Sequence, residues 1–257
     1  MTNENFETRW REIVSSLRAR LSSRKHILGV FVAYPERRLM EFWAKAGFDY
    51  AIVDLEHATI ELSEADRLIE TAINCGIAPI VRAAADDRQA LLRCLDAGAA
   101  GVMIPDVKTV EEVKSWERTI SYPPSGTRGL AQVRANHWDS SRTTDDPRWR
   151  PLLVPMIESM NAIDAADDLF ALDCADWYHV GLVDLGMRLR ANPDGPQAPE
   201  LLQALCRKAA SSGKPLGFNQ LQAPADKPPP EGILSIAVPD RVLVLNGAQQ
   251  YVQGSSK

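Results

Sequence analysis

Cysteine is scarce in this chain. Only four of 257 residues are cysteine (Cys75, Cys94, Cys174 and Cys206), and none forms a CxxC pair. That spacing argues against a thiolate zinc centre and against a disulfide framework; free thiols in a reducing cytosol are the expectation. Long apolar runs are missing as well. None approaches the roughly 18 residues needed to span a bilayer. The N-terminus, MTNENFETRWREIVSSLRARLSSRKH, is polar and charged ahead of its first apolar run, which reads as no signal peptide and a cytoplasmic protein. Basic residues are in deficit: 29 Lys and Arg stand against 34 Asp and Glu, giving a net charge of -5. With no Lys/Arg stripe, neither nucleic acid nor an anionic membrane is an expected partner. A GxGxxG after the first strand candidate is also absent, which removes the commonest dinucleotide reading.

What the chain does have is core-forming material, with 45% hydrophobic residues. No linker-like stretch divides it, so residues 1–257 are read as a single domain. An amphipathic helix is expected over residues 5–22, with Phe6, Trp10, Ile13, Val14 and Leu17 on one face. After it, short apolar runs alternate with amphipathic segments. The runs are Leu28–Ala33, Tyr50–Leu55, Pro79–Ala83, Gly101–Val107, Leu152–Glu158, Trp177–Leu182, Leu216–Asn219 and Ile233–Val238. Most are bounded by Gly, Pro or Asp, as buried parallel strands should be. Helical patterns fill the gaps at Glu36–Ala46, Ser63–Asn74, Arg88–Ala97 and Thr109–Ile120, and Gly47, Gly76 and Gly98 follow three of them. Eight alternations of this kind predict an α/β protein, a (β/α)8 TIM barrel of about 250 residues with an added N-terminal helix. A doubly wound open sheet is the structural alternative. Two stretches interrupt the pattern. Residues 137–151 read as a long polar loop, and the Pro-rich 222–232 replaces an expected helix.

In a barrel, the C-terminal ends of the strands converge on one site. The second strand candidate ends in Asp54-Leu55-Glu56-His57, the third in Arg82, the fifth in Glu158, and Asp184 follows the sixth. The fourth runs into Asp106. The opposite ends carry mostly Gly, Pro and apolar residues. A carboxylate near His57 could orient its imidazole. Glu158 and Asp184, with water and substrate oxygens, form a plausible hard-cation site. The bland readings are a hydrogen-bonded loop histidine, a rim salt bridge for Arg82, and N-caps or rim ion pairs for the two acids. His26 and His179 read as structural. Lysines placed for Schiff-base chemistry are lacking: Lys45, Lys108 and Lys208 fall on or near helices, and Lys214 precedes a strand.

Several segments, in order, resemble the HpcH/HpaI aldolase family of metal-dependent pyruvate aldolases. They are AGFDYAIVDLEHA (46–58), PIVRAA (79–84), LLRCLDAGAAGVMIPDV (91–107), YPPSGTRG (122–129), LLVPMIES (152–159), VGLVDLG (180–186) and SGKPLGF (212–218). The resemblance implies a barrel of the phosphoenolpyruvate/pyruvate-binding type. It implies that Glu158 and Asp184 bind Mg2+, Mn2+ or Co2+, that Arg82 contacts the pyruvyl oxygen, and that His57 is the catalytic histidine paired with Asp54. It further implies that Gly181, Leu182 and Val183 hold the substrate carboxylate through backbone amides, and that Phe31 is an aromatic pocket residue. The reaction would make or break a 4-hydroxy-2-oxo acid from a pyruvate-like 2-oxo acid and an aldehyde, in a homo-oligomer built on trimers or hexamers. The sequence departs from the family at Met156, where many members have Gln. It departs again at Ala237-Val238-Pro239-Asp240, where many have Gly-Ser-Asp, and in the Pro-rich segment. The rival readings are a citrate-lyase-like acyl-CoA lyase and a non-catalytic homologue serving as a binding or assembly subunit.

Overall fold

The computed structural model describes residues 3–84, 86–139, 150–189, 197–220 and 230–255. Helix α1 (Asn3–Ser22) comes first. It is followed by β1 (Ile27–Val32), α2 (Arg37–Ala46), β2 (Tyr50–Asp54), α3 (Leu62–Cys75), β3 (Ala78–Arg82), α4 (Arg88–Asp96), β4 (Gly101–Ile104) and α5 (Val110–Ile120). The second half runs β5 (Leu152–Ile157), α6 (Met160–Asp164), α7 (Ala166–Phe170), β6 (Tyr178–Val180), α8 (Leu182–Leu189), α9 (Ala198–Ser212), β7 (Leu216–Asn219), β8 (Ile233–Pro239) and α10 (Asp240–Ser255). The strands close in sequence order into a parallel barrel, β8 pairing back onto β1. This is the expected (β/α)8 barrel rather than an open sheet.

All eight expected strands are present, with shorter ends in places. β4 stops at Ile104 because Pro105 has no N–H for the ladder and Asp106 turns into the left-handed region at φ 49. β6 shrinks to Tyr178–Val180 because the chain enters α8 directly after Gly181. The helix-ending glycines Gly47 and Gly76 adopt φ of 94 and 84, where a Cβ would be strained. Of the two irregular stretches, residues 140–149 and 221–229 lie outside the described residues. Arg134–Asn136 forms a single 3-10 turn just before the first of them.

The core has two parts. Outward side chains of the strands pack against the helices in one cluster, including Val30, Val53, Val81, Val102, Leu153, Tyr178 and Val180. Inward ones fill the lumen, including Ile52, Ile80, Met103, Val154, Met156 and Trp177. Period-two alternation along each strand produces this division. α1 closes the bottom. Its Phe6, Trp10, Val14, Leu17 and Leu21 are buried and join the lumen cluster, with Ile13 packed at the edge. Burying each such side chain is worth roughly 1.5–3 kcal/mol before the entropy of ordering it. Arg18 pins the helix through Asp176, at 2.7 Å from Nε to Oδ1. Low in the lumen, the Tyr50 ring lies against Gly29, where a Cβ would sit 2.0 Å from it, and Tyr50 shares a 2.7 Å hydrogen bond with Ser235. α1 thus plugs the lumen from below, and the lumen opens at the C-terminal mouth. Among the described residues, no helix is long and apolar enough to cross a membrane.

Candidate active site

The residues expected to carry chemistry do converge on that mouth. The register aligns Asp54 with Arg82 as direct cross-strand neighbours. Arg82 Nε donates to Asp54 Oδ1 at 2.9 Å and Nη2 donates to Oδ2 at 2.8 Å, a two-pronged pairing. Both side chains are nearly buried, at 10% and 8% exposure. Glu56 adds a second carboxylate, with Oε2 3.3 Å from Arg82 Nε. Burial works against the guanidinium's charge, but Asp54, Glu56 and Glu158 outweigh it and raise the Arg82 pKa. The Phe31 ring lies under the guanidinium, 4.9 Å from Cζ to the centroid. Phe31 is thus a buried floor beneath Arg82. Among the described residues, the remaining arm of the guanidinium, Nη1, meets only the Met156 sulfur, at 3.9 Å. A thioether is a weak acceptor, so this arm keeps its capacity to donate to a ligand.

One expected pairing is corrected. Asp54 was expected to partner His57, but its carboxylate serves Arg82 and the following turn. Its Oδ1 also accepts from the backbone N–H groups of Glu56 and His57, at 3.2 and 3.4 Å. The carboxylate beside the imidazole is Glu56, 3.8 Å from Oε2 to Nε2. His57 itself is 63% exposed at the rim. The sequence reading named Glu56 at this strand end but gave it no role of its own, although its position two residues after the inward-facing Asp54 was a usable signal.

Glu158 follows β5 and is buried. It leans against Gly181, where a Cβ would stand 2.6 Å from Glu158 Cγ, so only glycine leaves it room. Its Oε1 has no hydrogen-bond partner among the described residues. Burial, reinforced by the charges of Asp184 and Glu56 and opposed by Arg82, pushes its pKa up to about 7. Asp184 is exposed, in the first turn of α8. Asp106 joins the mouth from β4, held by Lys108 at 3.1 Å and by Arg188 of α8 at 3.0 Å.

Among the described residues no group of three or more His, Cys, Asp or Glu side chains is arranged to hold a metal. Glu158 and Asp184 remain the two carboxylates that the sequence offers as candidate donors. An orphaned, buried carboxylate oxygen next to a second acid suits a hard cation whose other positions are taken by water and substrate oxygens. The residues present fit such an ion.

Gly181, Leu182 and Val183 were expected to offer three amides to a carboxylate. The Gly181 N–H is already committed to Ile157 O at 3.0 Å, because it continues the β5–β6 ladder. Leu182 and Val183 open α8, and their N–H groups belong to the unpaired first turn of a helix, a natural anion seat.

Comparison with known proteins accords with this geometry. Residues 28–226 match the family described as HpcH/HpaI aldolase/citrate lyase. The chain is 29% identical over 206 residues to a hydroxypyruvate/pyruvate aldolase of Cupriavidus necator, covering 77% of this chain and 75% of that protein. It is 30% identical over 196 residues to a 2-dehydro-3,6-dideoxy-6-sulfogluconate aldolase of Pseudomonas putida, covering 74% and 76%. Among solved structures, an HpcH/HpaI aldolase from Desulfitobacterium hafniense superposes with a TM-score of 0.76 at 26% identity, covering 93% of this chain and 96% of that one.

Proposed function

The chain belongs to the HpcH/HpaI aldolase/citrate lyase family, and from that premise we propose that it is a divalent-metal-dependent aldolase joining or parting a pyruvate-like 2-oxo acid and an aldehyde. The observation that carries the reading is the Asp54–Arg82 pair, which holds one guanidinium arm unclaimed by any carboxylate at the barrel mouth, close enough to Glu158 to feel its charge. The relatives named as pyruvate or sugar-acid aldolases support it over an acyl-CoA lyase.

Cleavage of a 4-hydroxy-2-oxo acid transfers the hydroxyl proton to a base and breaks the C3–C4 bond. The electron pair moves into a C2–C3 enolate, and the aldehyde departs. C3 then takes a proton to give the 2-oxo acid. Arg82 Nη1 would donate to the developing enolate oxygen, where a fixed charge in a water-poor site is most effective. His57, beside Glu56, is the group at the rim able to take the hydroxyl proton. The N–H groups of Leu182 and Val183 would seat the substrate carboxylate. Glu158 and Asp184 would hold Mg2+, Mn2+ or Co2+; when bound, the ion supplies Lewis-acid stabilisation of the same enolate. Phe31 supports Arg82 from below. The exposed His57 and the family resemblance suit a homo-oligomer in which a neighbour covers the mouth.

The test is hydrogen exchange of the pyruvate methyl group in D2O, followed by NMR with Mg2+ and then with EDTA. Metal-dependent exchange that disappears in Arg82→Met and in Glu158→Gln is expected. Exchange by neither pyruvate nor hydroxypyruvate above a metal-only blank would refute the enolate reading.

A further inference from the structure

Among the polar groups of the lumen that this chemistry leaves unused is a histidine near the mouth. His179 on β6 is fully buried and points inward, its ring edge-on to Phe31 at 5.7 Å. Burial, followed by the nearby Arg82 charge, pulls its pKa down to about 3, so the ring is neutral. The space for it is provided by Gly217 on β7, where a Cβ would come 3.1 Å from His179 Nδ1 and 2.8 Å from Ser235 Cβ. Its Nε2 lies 3.2 Å from Oδ1 of Asn219. Asn219 is the last residue of β7 and shares the inward face with Gly217. A neutral histidine that donates from Nε2 fixes the Asn219 carbonyl toward the ring, which turns the amide NH2 the other way. That NH2 has no partner among the described residues.

Its place in the barrel matters. The strand order puts β7 on the wall facing β3, which carries Arg82. The 2-oxo acid half of a substrate would lie between Arg82, the ends of β5 and β6 and the start of α8. The far half of the substrate would then reach β7.

We propose that Asn219, positioned by His179, is a specificity residue that donates a hydrogen bond to a hydroxyl on the aldehyde half, so that the enzyme prefers 2-hydroxyaldehydes to their deoxy counterparts. This rests on the aldolase reading above. A burial-matched apolar residue at the end of β7 would serve an unsubstituted aldehyde better. Asn219 is partly buried, so its carboxamide gains more from a polar ligand group than from an apolar one that would displace water from it.

The experiment compares kcat/KM for glycolaldehyde and for propionaldehyde, its isostere, with pyruvate as donor. Wild type, Asn219→Leu, His179→Phe and His179→Gln are measured. Wild type should favour glycolaldehyde. Asn219→Leu and His179→Phe should each reduce that ratio about tenfold, the worth of one hydrogen bond in a dry site. His179→Gln, which keeps a donor close to the position of Nε2, should restore most of it. A ratio that stays within twofold of wild type in Asn219→Leu overturns the proposal, because a merely structural asparagine would depress both aldehydes alike. A ratio retained in His179→Phe removes the positioning role. Hydroxypyruvate against pyruvate is the control for donor reading: a change confined to that pair would move the contact to the other half and overturn the assignment made here. Should wild type exchange the C3 protons of neither pyruvate nor hydroxypyruvate, the aldolase reading falls and takes this inference with it. Normal exchange with unaltered selectivity sinks only the Asn219 assignment.

Discussion

Replacing Asp54 with alanine separates the pairing seen here from the one the sequence suggested. Asp54 and Arg82 are nearly buried and joined by two hydrogen bonds of 2.9 and 2.8 Å. Removing one partner of such a pair leaves an uncompensated charge, which costs about 3–5 kcal/mol. Glu56, 3.3 Å from Arg82 Nε, compensates in part and points to the lower end of that range. In a chain of this size each kcal/mol lowers Tm by about 2–4 °C, so Asp54→Ala should melt roughly 6–12 °C below wild type. His57 is mostly exposed and bonds no carboxylate closely, so His57→Ala should stay within about 0.5 kcal/mol. Calorimetry in EDTA reads both without interference from a bound ion. The double replacement Asp54→Ala/Arg82→Met should recover much of the lost stability, since the stranded charge is gone. An Asp54→Ala protein that melts within 2 °C of wild type would refute the argument. It would return Asp54 to the role of orienting His57, where its loss should affect turnover alone.

Three other outcomes follow from the same geometry. Gly181→Ala forces a Cβ to within 2.6 Å of Glu158 Cγ, so Glu158 must move. A displacement of about 1 Å can cost on the order of 100-fold in rate, and kcat/KM near wild type would show that Glu158 has slack. Mn2+ at about 100 times its Kd should stabilise wild type by about 2.7 kcal/mol, visible as a rise in Tm of several degrees that Glu158→Gln and Asp184→Asn abolish; an undiminished rise would place the ion elsewhere. His179 has its folded pKa lowered from 6.5 to about 3. Its neutral form is therefore fully accommodated above pH 6.5, and stability is lost as pH falls from there toward 3, by roughly 4–5 kcal/mol in all. Urea unfolding of His179→Phe across that window should show a shallower acid limb than wild type, and parallel limbs would mean that the buried ring is protonated without penalty.

The barrel was legible because buried parallel strands read as short apolar runs, and eight of them alternating with helical patterns leave few architectures. α1 was legible for a related reason: one apolar face with no other surface to cover belongs on the barrel floor. Which acids and bases would reach the mouth was legible from strand polarity alone, since Asp54 and Arg82 end their strands and Glu158 and Asp184 follow the same end of theirs. The ends of β4 and β6 were overrun because hydrophobicity continues through Pro105 and Leu182, whereas hydrogen bonding stops at a residue without N–H and at a helix start. The amide of Gly181 was miscounted for the same reason: a ladder bond to Ile157 cannot be seen in a motif.

The correction at Asp54 shows where sequence spacing stops being informative. Asp54 and His57 are three apart in the chain, and proximity along the sequence suggested proximity of side chains. Yet Asp54 is the last residue of β2, its side chain aimed into the lumen, while His57 lies beyond a turn that Asp54 itself ties down through two backbone N–H groups. The partner 28 residues away is closer, because strand register places Arg82 directly beside Asp54. The same register places Met156 beside His179, and the next pairing sets His179 beside Gly217. The polar device on β6 and β7 is thus assembled from a histidine, a glycine and an asparagine that share no local motif, and only the closed barrel brings them together. His179, read from the sequence as structural, gains these neighbours only through the ladder, which no local pattern around it records.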